Sequence, residues 1–147
     1  EDILPVTSRY YRAPEGHLAH KQRGEDDTPS GVTLEWLQEE SYKIAKEHGW
    51  WDDERNFGEL LMLCVTELSE AMEEWRHGHT PSESYITGES HVASGFEKPE
   101  GVPSELADVL IRIADLAQHY GINLTEAVIR KMEYNKIREY RHGGKRA

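Results

Sequence analysis

From Thr33 onward, apolar side chains return every three or four positions, the period of one helical turn, and this predicts an all-α protein. A first helix is expected to follow Thr33 as N-cap, carry Leu34, Leu37, Tyr42, Ile44 and Ala45, and end at Gly49. A second follows Asn56, with Glu59 placed three residues on as in a capping box. Phe57, Leu60, Leu61, Cys64, Leu68, Ala71, Met72 and Trp75 trace its single apolar stripe, which Gly78 closes. The third helix is expected to start at Pro103, a residue suited to the first helical position, and to stop at Gly121. Its core face is Leu106, Val109, Leu110, Ile113, Leu116 and Ala117. Asn123 with Glu126 opens the last helix, which carries Val128, Ile129, Met132 and Ile137. With no strand pattern of substance and no internal repeat, the expected architecture is a four-to-five-helix bundle.

The helical period fails in three places. Residues 1–31 mix proline, glycine and charge, and predict an irregular N-terminal arm with a little structure around 6–11. Residues 77–102 contain Gly78, Pro81, Gly88, Gly95, Pro99 and Gly101 without an apolar period. A loop of that length between the two central helices is either functional, as a lid or a subunit contact, or disordered. The end, 142–147, is a basic tail: a solvated end, or a strand of charge closing over a neighbouring subunit's phosphate site. The domain proper is therefore expected over 32–141.

Composition narrows the classes. A chain of 147 residues with 37% hydrophobic positions suits one domain with a modest core. Its 28 Asp and Glu against 17 Lys and Arg, a formal charge of −11, argue against non-specific binding to nucleic acid or an anionic membrane. They do not argue against a small phosphate ligand, because bound metal reverses the local sign. The single cysteine, Cys64, excludes an intrachain disulfide framework and fits a reducing, cytoplasmic setting. No apolar run is long enough to span a bilayer and no secretory signal pattern opens the chain. A start on Glu1 is what a processed or trimmed N-terminus would show.

The candidate chemistry lies in two acidic pairs, Glu67-Leu68-Ser69-Glu70 and Glu105-Leu106-Ala107-Asp108. At a spacing of i, i+3 each pair points one way on its helix, and the two helices side by side would converge four carboxylates. Such pairs are common on solvated faces. These, however, border apolar stripes, where a carboxylate is expensive unless something compensates it, and hard cations such as Mg²⁺ or Mn²⁺ do so through oxygen ligands. Glu74 extends the first series, while Arg112 and Asp115 lie on the same polar stripe as Glu105 and Asp108. On the last helix Lys131, Asn135 and Arg138 follow i, i+4, i+7: a cradle for phosphate oxygens, or a solvated face paired with Glu133 and Glu139.

Taken together, Arg55-Asn56, the ExxE of Glu67 and Glu70, the ExxD of Glu105 and Asp108, and Lys131-Met132-Glu133-Tyr134-Asn135 with Arg138 resemble the MazG-like all-α nucleoside triphosphate pyrophosphohydrolases. The similarity is greatest to the branch that includes dCTP pyrophosphatase, and it covers about 33–141. The resemblance implies a homodimer or homotetramer that hydrolyses a (deoxy)nucleoside triphosphate to monophosphate and pyrophosphate. It implies Mg²⁺ held by Glu67, Glu70, Glu105 and Asp108, and phosphates held by Lys131, Asn135 and Arg138. Glu70 or Glu67 could instead act as base on the attacking water. Many relatives carry a further Glu one turn before the first acid and some a Glu directly before it; here Cys64 and Thr66 stand there, which leaves the number of metal ions open.

Trp36, Trp50 and Trp51 precede the second helix, and similar enzymes stack an aromatic from this region on the nucleobase. Trp50 and Trp51 are the candidates for lining a base pocket, with a place in the core or a subunit interface as the other reading. His77, His79 and His91 lack the cysteine spacing of a zinc site. The expected function is nucleotide-pool clearance by pyrophosphohydrolysis. Its rivals are the same fold acting on an alarmone or modified nucleotide, a nucleotide- and metal-binding module without turnover, and a plain helical interaction module.

Overall fold

Three of the four described helices begin at a residue whose side chain accepts from otherwise unpaired backbone N–H groups. In the computed structural model, which describes residues 31–87 and 98–139, the four are α1 (Leu34–Glu47), α2 (Phe57–Arg76), α3 (Val102–His119) and α4 (Leu124–Ile137). Thr33 Oγ1 accepts from Trp36 N, Asn56 Oδ1 from Gly58 N and Glu59 N, and Asn123 Oδ1 from Glu126 N. These are the three N-caps expected from the sequence. The helix stops also agree, since Gly49, Gly78 and Gly121 all take positive φ just beyond a helix end. α3 starts one residue earlier than expected, with Gly101 as its N-cap and Pro103 inside its first turn. The expectations for an N-terminal arm, for the centre of the inserted loop at 88–97 and for the tail lie outside the described residues.

The chain is mostly helical, as expected, but the expectation of a strandless loop at 77–102 is corrected. Two short antiparallel strands, β1 (Tyr85–Thr87) and β2 (Lys98–Glu100), pair Tyr85 with Glu100, Ile86 with Pro99 and Thr87 with Lys98. Three residues apiece are too few to show a period of two in a sequence. Local contacts hold the hairpin: Tyr85 Oη donates to Glu74 Oε2 at 3.0 Å, and the Tyr85 ring stacks on His79. Gly101 then turns the chain into α3 at φ 102°, ψ 167°, where a Cβ would lie 2.4 Å from the carbonyl oxygen of Glu83.

α3 is the central element, packed against both α1 and α2. Ala114 and Ala117 are fully covered and let the neighbouring backbones approach closely, while Leu60, Cys64 and Leu116 form the core with Trp51, Leu63 and Ile113 against them. Cys64 is thus a small core residue, its thiol raised above the ordinary range by burial. Gln38, also buried, ties α1 to the start of α4 by donating to Ile122 O and accepting from Leu124 N.

The single stripe expected on α2 resolves into two faces. Leu60, Cys64, Glu67 and Ala71 are buried against the rest of the fold. Leu61, Val65, Leu68, Met72 and Trp75 are between 46% and 59% exposed along an adjacent face. A stripe this wide exceeds what one neighbouring helix can cover. α4 is more exposed still: it touches α1 and buries none of its residues. Among the described residues no helix is long and apolar enough to cross a membrane.

Candidate metal centre

Glu67 lies on the buried face of α2 one turn beyond Cys64, and it is 4% exposed. Glu105 sits in the first turn of α3, 5% exposed. Packing of α2 against α3 brings the two together with Glu70, which is exposed. One carboxylate oxygen from each of Glu67, Glu70 and Glu105 lies within 4.8 Å of the others. Oxygens opposite one another across Mg²⁺ lie about 4.2 Å apart, so small side-chain rotations suffice for one ion to meet all three. Asp108, the fourth sequence-predicted acid, stands beside this trio one turn along α3.

Electrostatics mark the cluster as short of positive charge. Burial holds the Glu105 carboxyl above its ordinary range, and the carboxylates of Glu70 and Asp108 raise it further. Asp108 is raised by burial and then by Glu67, with Arg112 and Lys98 pulling the other way. Such a group of oxygens is what a hard divalent cation compensates, and the donor set fits Mg²⁺ or Mn²⁺ rather than a metal that prefers thiolate or imidazole. Of the loop histidines, His79 faces Glu74 and Glu83 and His77 faces the backbone of Glu73, while His91 lies outside the described residues.

Positive charge comes from two residues to which no role was assigned on sequence grounds. Arg112 Nε donates to Glu67 Oε1. Lys98, on β2, bonds Glu100 at 3.0 Å and lies within the field of Glu105 and Asp108. The signal for Arg112 was present: Glu105, Asp108, Arg112, Asp115 and His119 recur at three- and four-residue steps along one face of α3. Lys98 carried no such signal, since its position follows from the hairpin.

A cavity of about 350 Å³ opens from this cluster. Glu67, Glu70, Asp108 and Arg112 are among its lining residues, together with Trp50, Trp51, Arg55, Ile44, Leu60 and Asp115. Trp51 is fixed on three sides. Its ring stacks on His119 at 3.8 Å, Tyr42 tilts against it, and its Nε1 donates to Asp115 Oδ1 at 2.8 Å. Trp50 is about half exposed, with the Arg55 guanidinium over its ring. Both tryptophans singled out in the sequence therefore share a cavity with Glu67, Glu70 and Asp108.

None of the residues expected to hold phosphate lines this cavity. Lys131 and Asn135 lie on exposed α4, and Arg138 leaves the helix as its C-cap in an extended conformation, so the expected shared face of the three is broken. Lys131 and Arg138 both lie over the Tyr134 ring, and none of the three lines the cavity. Among the described residues α4 packs mainly against α1 and buries none of its own residues. Compared with family models, with curated proteins and with solved structures, the chain matches none.

Proposed function

We propose that this chain is a Mg²⁺-dependent nucleotide pyrophosphohydrolase of the MazG-like all-α type. It would add water across a phosphoanhydride of a (deoxy)nucleoside triphosphate and release the monophosphate and pyrophosphate. The observation that carries the proposal is one cavity lined both by Glu67, Glu70 and Asp108 and by Trp50 and Trp51, with Glu105 completing the carboxylate cluster. A phosphate chain fits the first environment and a nucleobase the second.

Glu67, Glu70, Glu105 and Asp108 would hold the ion. When bound, Mg²⁺ (or Mn²⁺) supplies positive charge toward phosphate oxygens and acidifies nearby water. Glu70 or Glu67 would take the proton from the attacking water; the exposure of Glu70 at the cavity wall favours Glu70, with Glu67 and Glu105 fixing the cluster from the buried side. Arg112, which neutralises Glu67, and Lys98 add positive charge where the anhydride would lie. Trp50 and Trp51 would bound the base.

A second copy of the chain completes the proposal as a homodimer or homotetramer. Leu61, Val65, Leu68, Met72 and Trp75 recur at alternating steps of four and three, the seam by which one helix packs along another. Val128, Ile129 and Met132 on α4 are similarly open. Assembly through these faces would give Lys131, Asn135 and Arg138 a route to a neighbouring subunit's phosphates.

The test is incubation with a panel of nucleoside and deoxynucleoside triphosphates and alarmones, with Mg²⁺ or Mn²⁺, and product identification by chromatography. Monophosphate with pyrophosphate is expected. Release of orthophosphate, or no turnover of any substrate, would overturn the proposal. Glu70→Gln and Asp108→Asn are each expected to abolish turnover while leaving the circular dichroism spectrum unchanged.

A further inference from the structure

Lys98 reaches the acidic cluster from outside the two helices that build it. β2 leads through Gly101 into the first turn of α3, and Ser104 Oγ donates to Pro99 O at 3.0 Å, so the strand is fastened to the turn that carries Glu105. The Lys98 side chain is more than half exposed, and its ammonium donates to Glu100 Oε2 at 3.0 Å. Glu100 is held in turn from the paired strand, where Thr87 Oγ1 donates to Oε1. The Glu100 bond raises the Lys98 ammonium above its ordinary range against the pull of burial, and the charges of Glu105 and Asp108 raise it further. Lys98 is not a lining residue of the cavity; it flanks the cluster beside Glu105, which also lies off the lining.

We infer that Lys98 couples the two ligands of the site: it opposes a divalent cation that binds alone, and joins that cation in holding a phosphate chain. The inference rests on the metal and phosphate reading of the cluster and adds to it how occupancy is regulated. In the free protein the ammonium partly offsets the carboxylates, and a cation entering among Glu67, Glu70 and Glu105 must overcome that like charge. With a cation in place the acids attract Lys98 less, and its ammonium can pass from Glu100 to a phosphate oxygen, which accepts a charge-assisted bond. The anion then relieves the repulsion between the two cations. Metal and phosphate therefore each bind better when the other is present, and by the same factor. Arg112 is not suited to this exchange, because it donates to the buried Glu67 carboxylate and its side chain is only 35% exposed. Lys98 has the exposed stem and the single outer partner that such an exchange requires.

The experiment compares the wild-type chain with Lys98→Gln and Lys98→Arg. Binding of Mn²⁺ alone is followed by the electron paramagnetic resonance of the free ion, and binding of inorganic pyrophosphate in saturating Mg²⁺ by calorimetry. Lys98→Gln is expected to bind Mn²⁺ about threefold or more tightly than wild type. The same variant is expected to bind pyrophosphate about tenfold or more weakly. Lys98→Arg, which keeps the charge, is expected to stay near wild type in both. The opposite signs carry the test, because a disturbed hairpin would weaken both ligands together. Weakening of both in Lys98→Gln overturns the inference, and so does an unchanged affinity for either one. Nucleotide hydrolysis by the wild type, with neither shift in the variant, overturns the inference and leaves the proposed reaction standing. Opposite shifts in a protein that hydrolyses no nucleotide do the converse, and a wild-type chain that binds neither Mn²⁺ nor pyrophosphate overturns both.

Discussion

Arg112 and Glu67 compensate one another at the edge of the core, with the Glu67 side chain 6% exposed and that of Arg112 35%. Removing the cation leaves a buried carboxylate among other carboxylates, which is more damaging than losing a surface pair. Because Arg112 is partly solvated, the expected effect is moderate. Arg112→Gln should destabilise the chelator-treated protein by about 2 kcal/mol in urea titration, and Mg²⁺ should recover more stability in the variant than in the wild type. A second consequence concerns pH. Glu105 and Asp108 bind protons more tightly in the folded chain than at their ordinary values of 4.5 and 3.8. The folded state therefore takes up protons as pH falls, so the destabilisation is complete above the raised values and gone below the ordinary ones. Melting of the metal-free protein should rise between neutral pH and about pH 5, and saturating Mg²⁺ should flatten that dependence. Asp108→Asn should give part of that flattening without metal, since burial still raises Glu105. At this scale the acids were legible in the sequence, because i, i+3 spacing survives any detail of packing. The Arg112 pairing and the Trp51–Asp115 bond were not, since each joins residues 45 and 64 positions apart.

The hairpin and the start of α3 depend on one element-level feature, the turn at Gly101. Its φ of 102° and ψ of 167° lie in a region that only glycine occupies without strain, and Glu83 O leaves no room for a side chain. Gly101→Ala should cost about 2 kcal/mol or more by thermal or urea unfolding, and lower metal affinity, because Glu105 lies in the turn that follows. Gly78→Ala, at a similar φ but with open space around its Cβ position, should be milder. Helix starts and stops were readable because their chemistry is local: Thr33, Asn56 and Asn123 each bond within three residues. The division of α2 into two faces was not, since apolar residues of both faces look alike until a neighbour covers one of them.

Among the described residues, α2 and α4 each carry an open apolar face. Leu68→Glu, placed at the middle of the α2 seam, should shift the mass measured by light scattering from an assembly to a monomer while the helical signal persists. A wild-type monomer at micromolar concentration would overturn the proposed assembly. That helices would form a mostly helical domain was evident from periodicity. How α4 sits was not, because a helix with no buried residue is positioned by whatever it meets rather than by its own pattern. If α4 meets another subunit, the proposed phosphate contacts of Lys131 and Asn135 would form only between copies, and the proposed activity would depend on the protein's own abundance. Specific activity would then fall on dilution, steeply near the dissociation constant, so that a cell could silence the reaction by keeping the protein scarce without altering a single residue of the site.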